Sequence, residues 1–161
     1  MQVPSAEIAT LLTLLAETPQ RLAVMTHRLD PARCHTRLGE NAWSVQDVLA
    51  HLRVCAAVWG QSIVAMITQD RPTLRYVSPR TVAKQRNYTT QEYHTSLQAF
   101  SKQRTELLQL LTSLPEEAWS RGATFTGTTK GREQTIYSYA QRITAHEAEH
   151  IAQIATLLQT N

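Results

Sequence analysis

Among the six histidines of this chain, His146 and His150 stand four apart in Thr144-Ala145-His146-Glu147-Ala148-Glu149-His150-Ile151. On a helix that spacing stacks two side chains on one face, one turn or about 5.4 Å apart. Both imidazoles can then aim at a single ion, which makes H-x-x-x-H a half-site for a divalent metal. Two ligands leave the coordination incomplete, so a third must come from another element.

His51 is the candidate for that third ligand. It falls between Val48 and Cys55 on the apolar stripe of a second helix and so points inward. A histidine in that position is ordinarily a core residue with a hydrogen-bond partner; the independent pair on another helix favours ligation. Cys55, one turn further, is either a fourth, softer ligand or a small buried hydrophobe. His27 and His94 lie off their stripes and His35 sits in a polar loop, so all three are set aside. Glu147 borders the metal face and is read three ways: it orients a histidine, acts as a base, or is solvated. Arg104, in the middle of an apolar stripe, needs a partner or a route to water. It either pairs structurally or holds an anionic group in a pocket, where a guanidinium fork suits a carboxylate.

The string His146-Glu147-Ala148-Glu149-His150 also matches H-E-x-x-H of zinc proteases, in which the glutamate is the base and a third ligand follows. Here only Ile151 to Asn161 follow, without His, Asp or Glu, which argues against that class.

Four amphipathic helices must position these groups. Residues 5–17 form one stripe (Ile8, Leu11, Leu12, Leu15) with Ser5 as a cap, and Thr18-Pro19 restarts the helix at an angle over 19–29. Ser44 and Asp47 form a capping box that opens a helix over 44–68, with Trp43 and Val48 as its staple. Residues 69–88 are a long connection with a helical turn near Thr81–Gln85. Thr89 to Glu92 read as a second capping box opening 90–113. The connection 114–134 holds an irregular hairpin or flap at Thr124–Gly127 and Lys130–Arg132, and such long connections often cover a site. Thr135 caps the last helix, 136–159.

The architecture expected is therefore all-α, a four-helix bundle with long connections. His51 lies roughly 10 Å into its helix, and the His146/His150 midpoint roughly 15 Å from the end of its own. Antiparallel, the three imidazoles come within roughly 5 Å axially, whereas parallel helices leave about 10 Å. The antiparallel choice excludes simple up-down-up-down order and needs one crossover, which 69–88 supplies.

At 161 residues the chain is expected to be one domain, 1–161, large enough to bury a core without staples. Apolar residues make up 42% and charged residues 18%. The N-terminal residues lack a signal pattern, no apolar run approaches membrane length, and two cysteines without CxxC spacing suit a reducing compartment; these features predict a cytoplasmic protein. The net charge of +3 comes from scattered basic residues with no stripe or aromatic platform, which argues against nucleic acid as partner.

Taken in order, several residues resemble the DinB-like family of bacterial helical bundles. They are Thr18-Pro19 with Arg21-Leu22, Trp43-Ser44-Val45 leading into His51-Leu52, Phe100 with Arg104, Pro115 with Trp119, and His146, Glu147, His150, Gln153 and Ile154. The resemblance covers nearly the whole chain. It implies up-down-down-up order, a divalent metal on His51, His146 and His150, and a homodimer. Some relatives use low-molecular-weight thiols as cosubstrates in transferase or isomerase reactions.

Two function classes follow. One is a metal-dependent enzyme, a thiol-dependent transferase or a hydrolase acting on a small molecule, with one divalent ion per chain. Zinc or nickel comes first and iron next, since imidazole suits several metals. The other is a metal- or small-ligand-binding stress protein without turnover; a third reading makes the histidines structural, with no metal bound.

Overall fold

The structure, a computed structural model, describes residues 3–127 and 132–159. Along the chain run α1 (Ser5–Thr26), α2 (Pro31–Cys34), α3 (Val45–Thr68), β1 (Thr73–Arg75), α4 (Pro79–Arg86), α5 (Tyr93–Thr112), β2 (Gly122–Thr126), β3 (Glu133–Thr135) and α6 (Ile136–Gln159). The four long helices form a bundle. Both α1 and α3 pack against α5 and α6, so α1 and α3 face each other across the diagonal.

Local chemistry sets most boundaries. Ser44 and Asp47 make the expected reciprocal cap of α3, with Asp47 N–H donating to Ser44 Oγ at 3.1 Å and Ser44 N–H to Asp47 Oδ2 at 2.8 Å. Arg37 adds a two-pronged ion pair to the same carboxylate, at 2.8 Å from Nε and from Nη2. Thr135 and Ser138 exchange hydrogen bonds at the start of α6. Asn87 ends α4 in the left-handed conformation.

Three expectations change. Pro19 lies inside a continuous α1 that ends at Thr26, where the sequence suggested two helices at an angle. The proline forfeits one internal hydrogen bond, but the buried face Ile8, Leu11, Leu15, Thr18, Leu22 and Thr26 runs unbroken across it and is held by α5 and α6. Ser5 is not the cap; it is the first helical residue, and its hydroxyl donates to Glu116 at 2.6 Å. The cap of α5 is Glu92 rather than Thr89, its carboxylate accepting from the N–H groups of His94 and Thr95 at 2.9 and 2.7 Å, while Tyr88–Thr90 form a 3-10 turn.

A small sheet was not expected as such. β1 pairs in parallel with β2, and β2 pairs antiparallel with β3. The flap read at Thr124–Gly127 is therefore largely strand, and Lys130 and Gly131 lie outside the described residues. Gly122 has to be glycine, because a Cβ there would meet the Gln134 carbonyl oxygen at 2.5 Å.

Two apolar clusters fill the bundle. One gathers Leu11, Leu15, Trp59, Ile63, Leu107, Leu111 and Ile143. The other gathers Leu22, Leu49, Leu52, Tyr93, Phe100, Ile151 and Ile154. Between them on the four helices fall Thr18, His51, Arg104, His146 and Glu147, a polar layer at mid-height. Among the described residues α3 is long and apolar enough to cross a membrane, and its apolar side is turned into the bundle, with Val48, Leu49 and Ile63 fully buried.

Candidate metal centre

The polar layer splits into two groups. On one side His51 of α3 meets His146 and His150 of α6. The Nε2 atoms of His51 and His146 are 3.0 Å apart, and those of His146 and His150 are 3.1 Å apart. Cys55 Sγ lies 3.6 Å from His51 Nε2 and 4.0 Å from His146 Nε2. His51, Cys55 and His146 thus form a candidate metal site, with one ligand atom from each falling within 4.8 Å of the others.

Donor chemistry and spacing fit a divalent ion. Bond lengths of about 2.05 Å to nitrogen and 2.3 Å to sulfur give tetrahedral edges of about 3.3 Å between nitrogens and about 3.6 Å between sulfur and nitrogen. The observed separations fall within a few tenths of an ångström of these edges. The His150 Nδ1–H donates to Gln153 Oε1 at 2.7 Å, which leaves the Nε2 lone pair free to face the cluster.

The surroundings favour the neutral form of His51 and His146. Burial pushes His51 down to about 4, reinforced by His150 and Arg80. Burial likewise pushes His146 down to about 4, with help from His150, His51 and Arg142. Burial pushes the Cys55 thiol up to about 12. Trp43 stacks on His150 at 6.1 Å between centroids and meets His51 edge-on at 5.2 Å, while Trp59 meets His146 edge-on at 4.8 Å. These rings fix the imidazole planes.

Arg104 and Glu147 occupy the other side. Both are buried, and the guanidinium donates to the Glu147 carboxylate, beside which Thr18 of α1 also lies. Burial raises the Glu147 pKa, opposed chiefly by Arg104. Glu147 is thus not solvated; it faces α5 and α1, while its neighbour His146 faces α3. His27, His35 and His94 are exposed.

Two cavities open beside the histidines. One, of about 430 Å³, is lined by His51, Cys55, Trp59, Arg80, Arg142 and His146, among others. The second, of about 660 Å³, shares His51 and Arg80 and adds Trp43 and Tyr88. Sequence reasoning had not singled out Arg80, Arg142 or Trp43 for the site. Arg142 carried a usable signal, being one turn before His146 on the same helix face. Trp43 reads from the sequence as a staple and as part of the family resemblance rather than as a site residue, and Arg80 lies in a connection without periodicity.

A sequence profile of the DinB superfamily matches residues 14–154. Among solved structures the chain is similar to YfiT from Bacillus subtilis, with a TM-score of 0.85 and 18% identity over 98% of this chain and 89% of that one. YfiT is described as "a probable metal-dependent hydrolase with an unusual four-helix bundle topology". No curated protein matches.

Proposed function

The chain belongs to the DinB superfamily, and from that premise we propose that it binds one divalent cation through His51, His146 and His150 and uses it as an enzyme. The observation that carries this is the meeting of three Nε2 atoms from two helices at 3.0 and 3.1 Å. Neutral imidazoles leave such an ion its full charge, and it would serve as a Lewis acid toward a carbonyl, water or thiol. The chain's own residues bind and orient: Gln153 holds the tautomer of His150, and the indoles of Trp43 and Trp59 hold the rings. Glu147, paired with Arg104, positions α6 rather than moving a proton.

The reaction belongs to hydrolysis or thiol-dependent transfer of a small molecule; the description of YfiT favours the first and the family resemblance the second. We read the helix order as up-down-down-up. Supporting this, Tyr137 at the start of α6 hydrogen-bonds Glu7 at the start of α1, and Arg53 near the start of α3 reaches Ser96 near the start of α5. Two free buried cysteines fit the cytoplasm.

A second reading rests on Cys55. With Sγ as a fourth protein ligand the site would be closed, as structural metal sites are, and the protein would bind metal without turnover. The test of the main reading is a set of single His→Ala proteins assayed for bound metal after dialysis against trace zinc or nickel. His51→Ala, His146→Ala and His150→Ala should lose metal, while His27→Ala, His35→Ala and His94→Ala should retain it. Full retention by His51→Ala would overturn the three-histidine site.

A further inference from the structure

The cavity of about 430 Å³ beside His51 and His146 is built for negative charge. Two of its lining residues are arginines from different elements, Arg80 of α4 and Arg142 of α6. Both are exposed, and among the described residues neither is in an ion pair. Arg142 sits over Trp59, its Cζ 4.8 Å from the ring centroid, a cation–π contact that holds the guanidinium at the cavity wall.

The backbone adds to this. Ser78 and Pro79, also in the lining, are the N-cap and first residue of α4. The Ser78 hydroxyl makes no capping bond, Pro79 has no N–H, and the Thr81 and Val82 N–H groups donate to the Ser78 carbonyl, so this helix end contributes its dipole more than free donors. Among the described residues Glu149 is the single carboxylate in the lining, set against two guanidinium groups and a helix N-terminus.

We propose that this cavity is the substrate site, and that the substrate is a small organic anion whose oxyanion head group is held by Arg80 and Arg142 beside the histidine cluster. The inference deepens the metalloenzyme reading, and the metal would take the reacting part of the same molecule. A guanidinium fork suits a carboxylate in two-pronged geometry and binds phosphate as well, so both head groups share this chemistry.

The test is calorimetric titration of the purified protein with succinate, with inorganic phosphate, and with neutral succinamide. Elemental analysis accompanies each sample, and metal-stripped protein is titrated in parallel. Arg80→Gln and Arg142→Gln should each weaken succinate or phosphate binding by about tenfold or more, the loss of a charge-assisted hydrogen bond. Bound metal and thermal midpoint should stay at parent levels. Arg142→Lys should fall between parent and Arg142→Gln, since it keeps charge and loses the fork. Tighter phosphate than succinate, with the same losses, would assign the head group to phosphoryl. Anion binding unchanged in both glutamine variants, or succinamide bound as tightly as succinate, would overturn the proposal. The arginine effect is also read on metal-stripped protein, so a preparation that never binds metal sinks the metal reading and leaves this one to stand or fall separately.

Discussion

Cys55 decides whether the candidate metal centre would have room for a substrate. Its sulfur is 3.6 Å from one imidazole nitrogen and 4.0 Å from another, the first at a tetrahedral edge and the second longer. Under the catalytic reading the cobalt(II)-loaded protein should lack a thiolate charge-transfer band, and Cys55→Ala should hold metal as well as the parent. A band that disappears in Cys55→Ser would assign the closed, non-catalytic site. The histidines make a second prediction. With native values near 4 against 6.5, the folded metal-free protein binds fewer protons than the unfolded chain between those limits. Stability from these groups is therefore complete above about pH 6.5 and falls as pH drops toward about 4. Urea midpoints across that window should fall less steeply in His51→Ala; an equal slope would mean that His51 is not the group responsible. That His51, His146 and His150 meet was legible from the i,i+4 spacing on α6 and the apolar stripe of α3. Arg80 and Trp43 were not, because no helical period connects them to the histidines.

Each helix end is a small chemical device, and the devices differ in how plainly they are written. The Ser44–Asp47 box was legible because both partners sit inside four residues. It also anchors Trp43, the residue just before the cap, against His51 and His150. Ser44→Ala should cost about 1 kcal/mol and lower the thermal midpoint by about 2–4 °C. A midpoint within experimental error of the parent would show that Arg37 and Asp47 hold the turn without the hydroxyl. At α5 the similar string Thr89 to Glu92 misled, since Glu92 itself caps and the residues before it close a 3-10 turn. Pro19 misled in the opposite sense: local propensity asked for a break, and packing on both neighbouring helices overrode it. β1 and β3 are three residues each, too short for any alternation to register.

At the scale of the molecule, a charged layer lies between two apolar clusters, its opposite charges paired across α5 and α6. The Arg104–Glu147 pair is incompletely satisfied, with Arg104 Nε and Nη1 lacking partners among the described residues. Glu147→Ala should cost about 3–5 kcal/mol by stranding a buried guanidinium. The double replacement Arg104→Met with Glu147→Leu should be closer to the parent in chemical denaturation than Glu147→Ala is. It should also keep bound metal, as a structural pair requires. A double variant as unstable as the single would mean that the pair contributes more than mutual neutralisation.

The diagonal placement of α1 and α3 has a consequence during synthesis. The two helices that emerge first are not each other's principal neighbours; each waits for α5 and then α6 to supply its packing surface. A nascent chain that has exported only residues 1–90 carries two apolar stripes with nothing to bury them against. Nearly the entire sequence must leave the ribosome before the cooperative transition can occur, and the half-site on α3 precedes its partner on α6 by the same delay. A truncated chain ending near residue 90 should remain protease-sensitive and unable to retain metal, whereas protection should rise abruptly once α6 is included. Protection that grew in steps with each helix would show that α1 and α3 find a partner earlier.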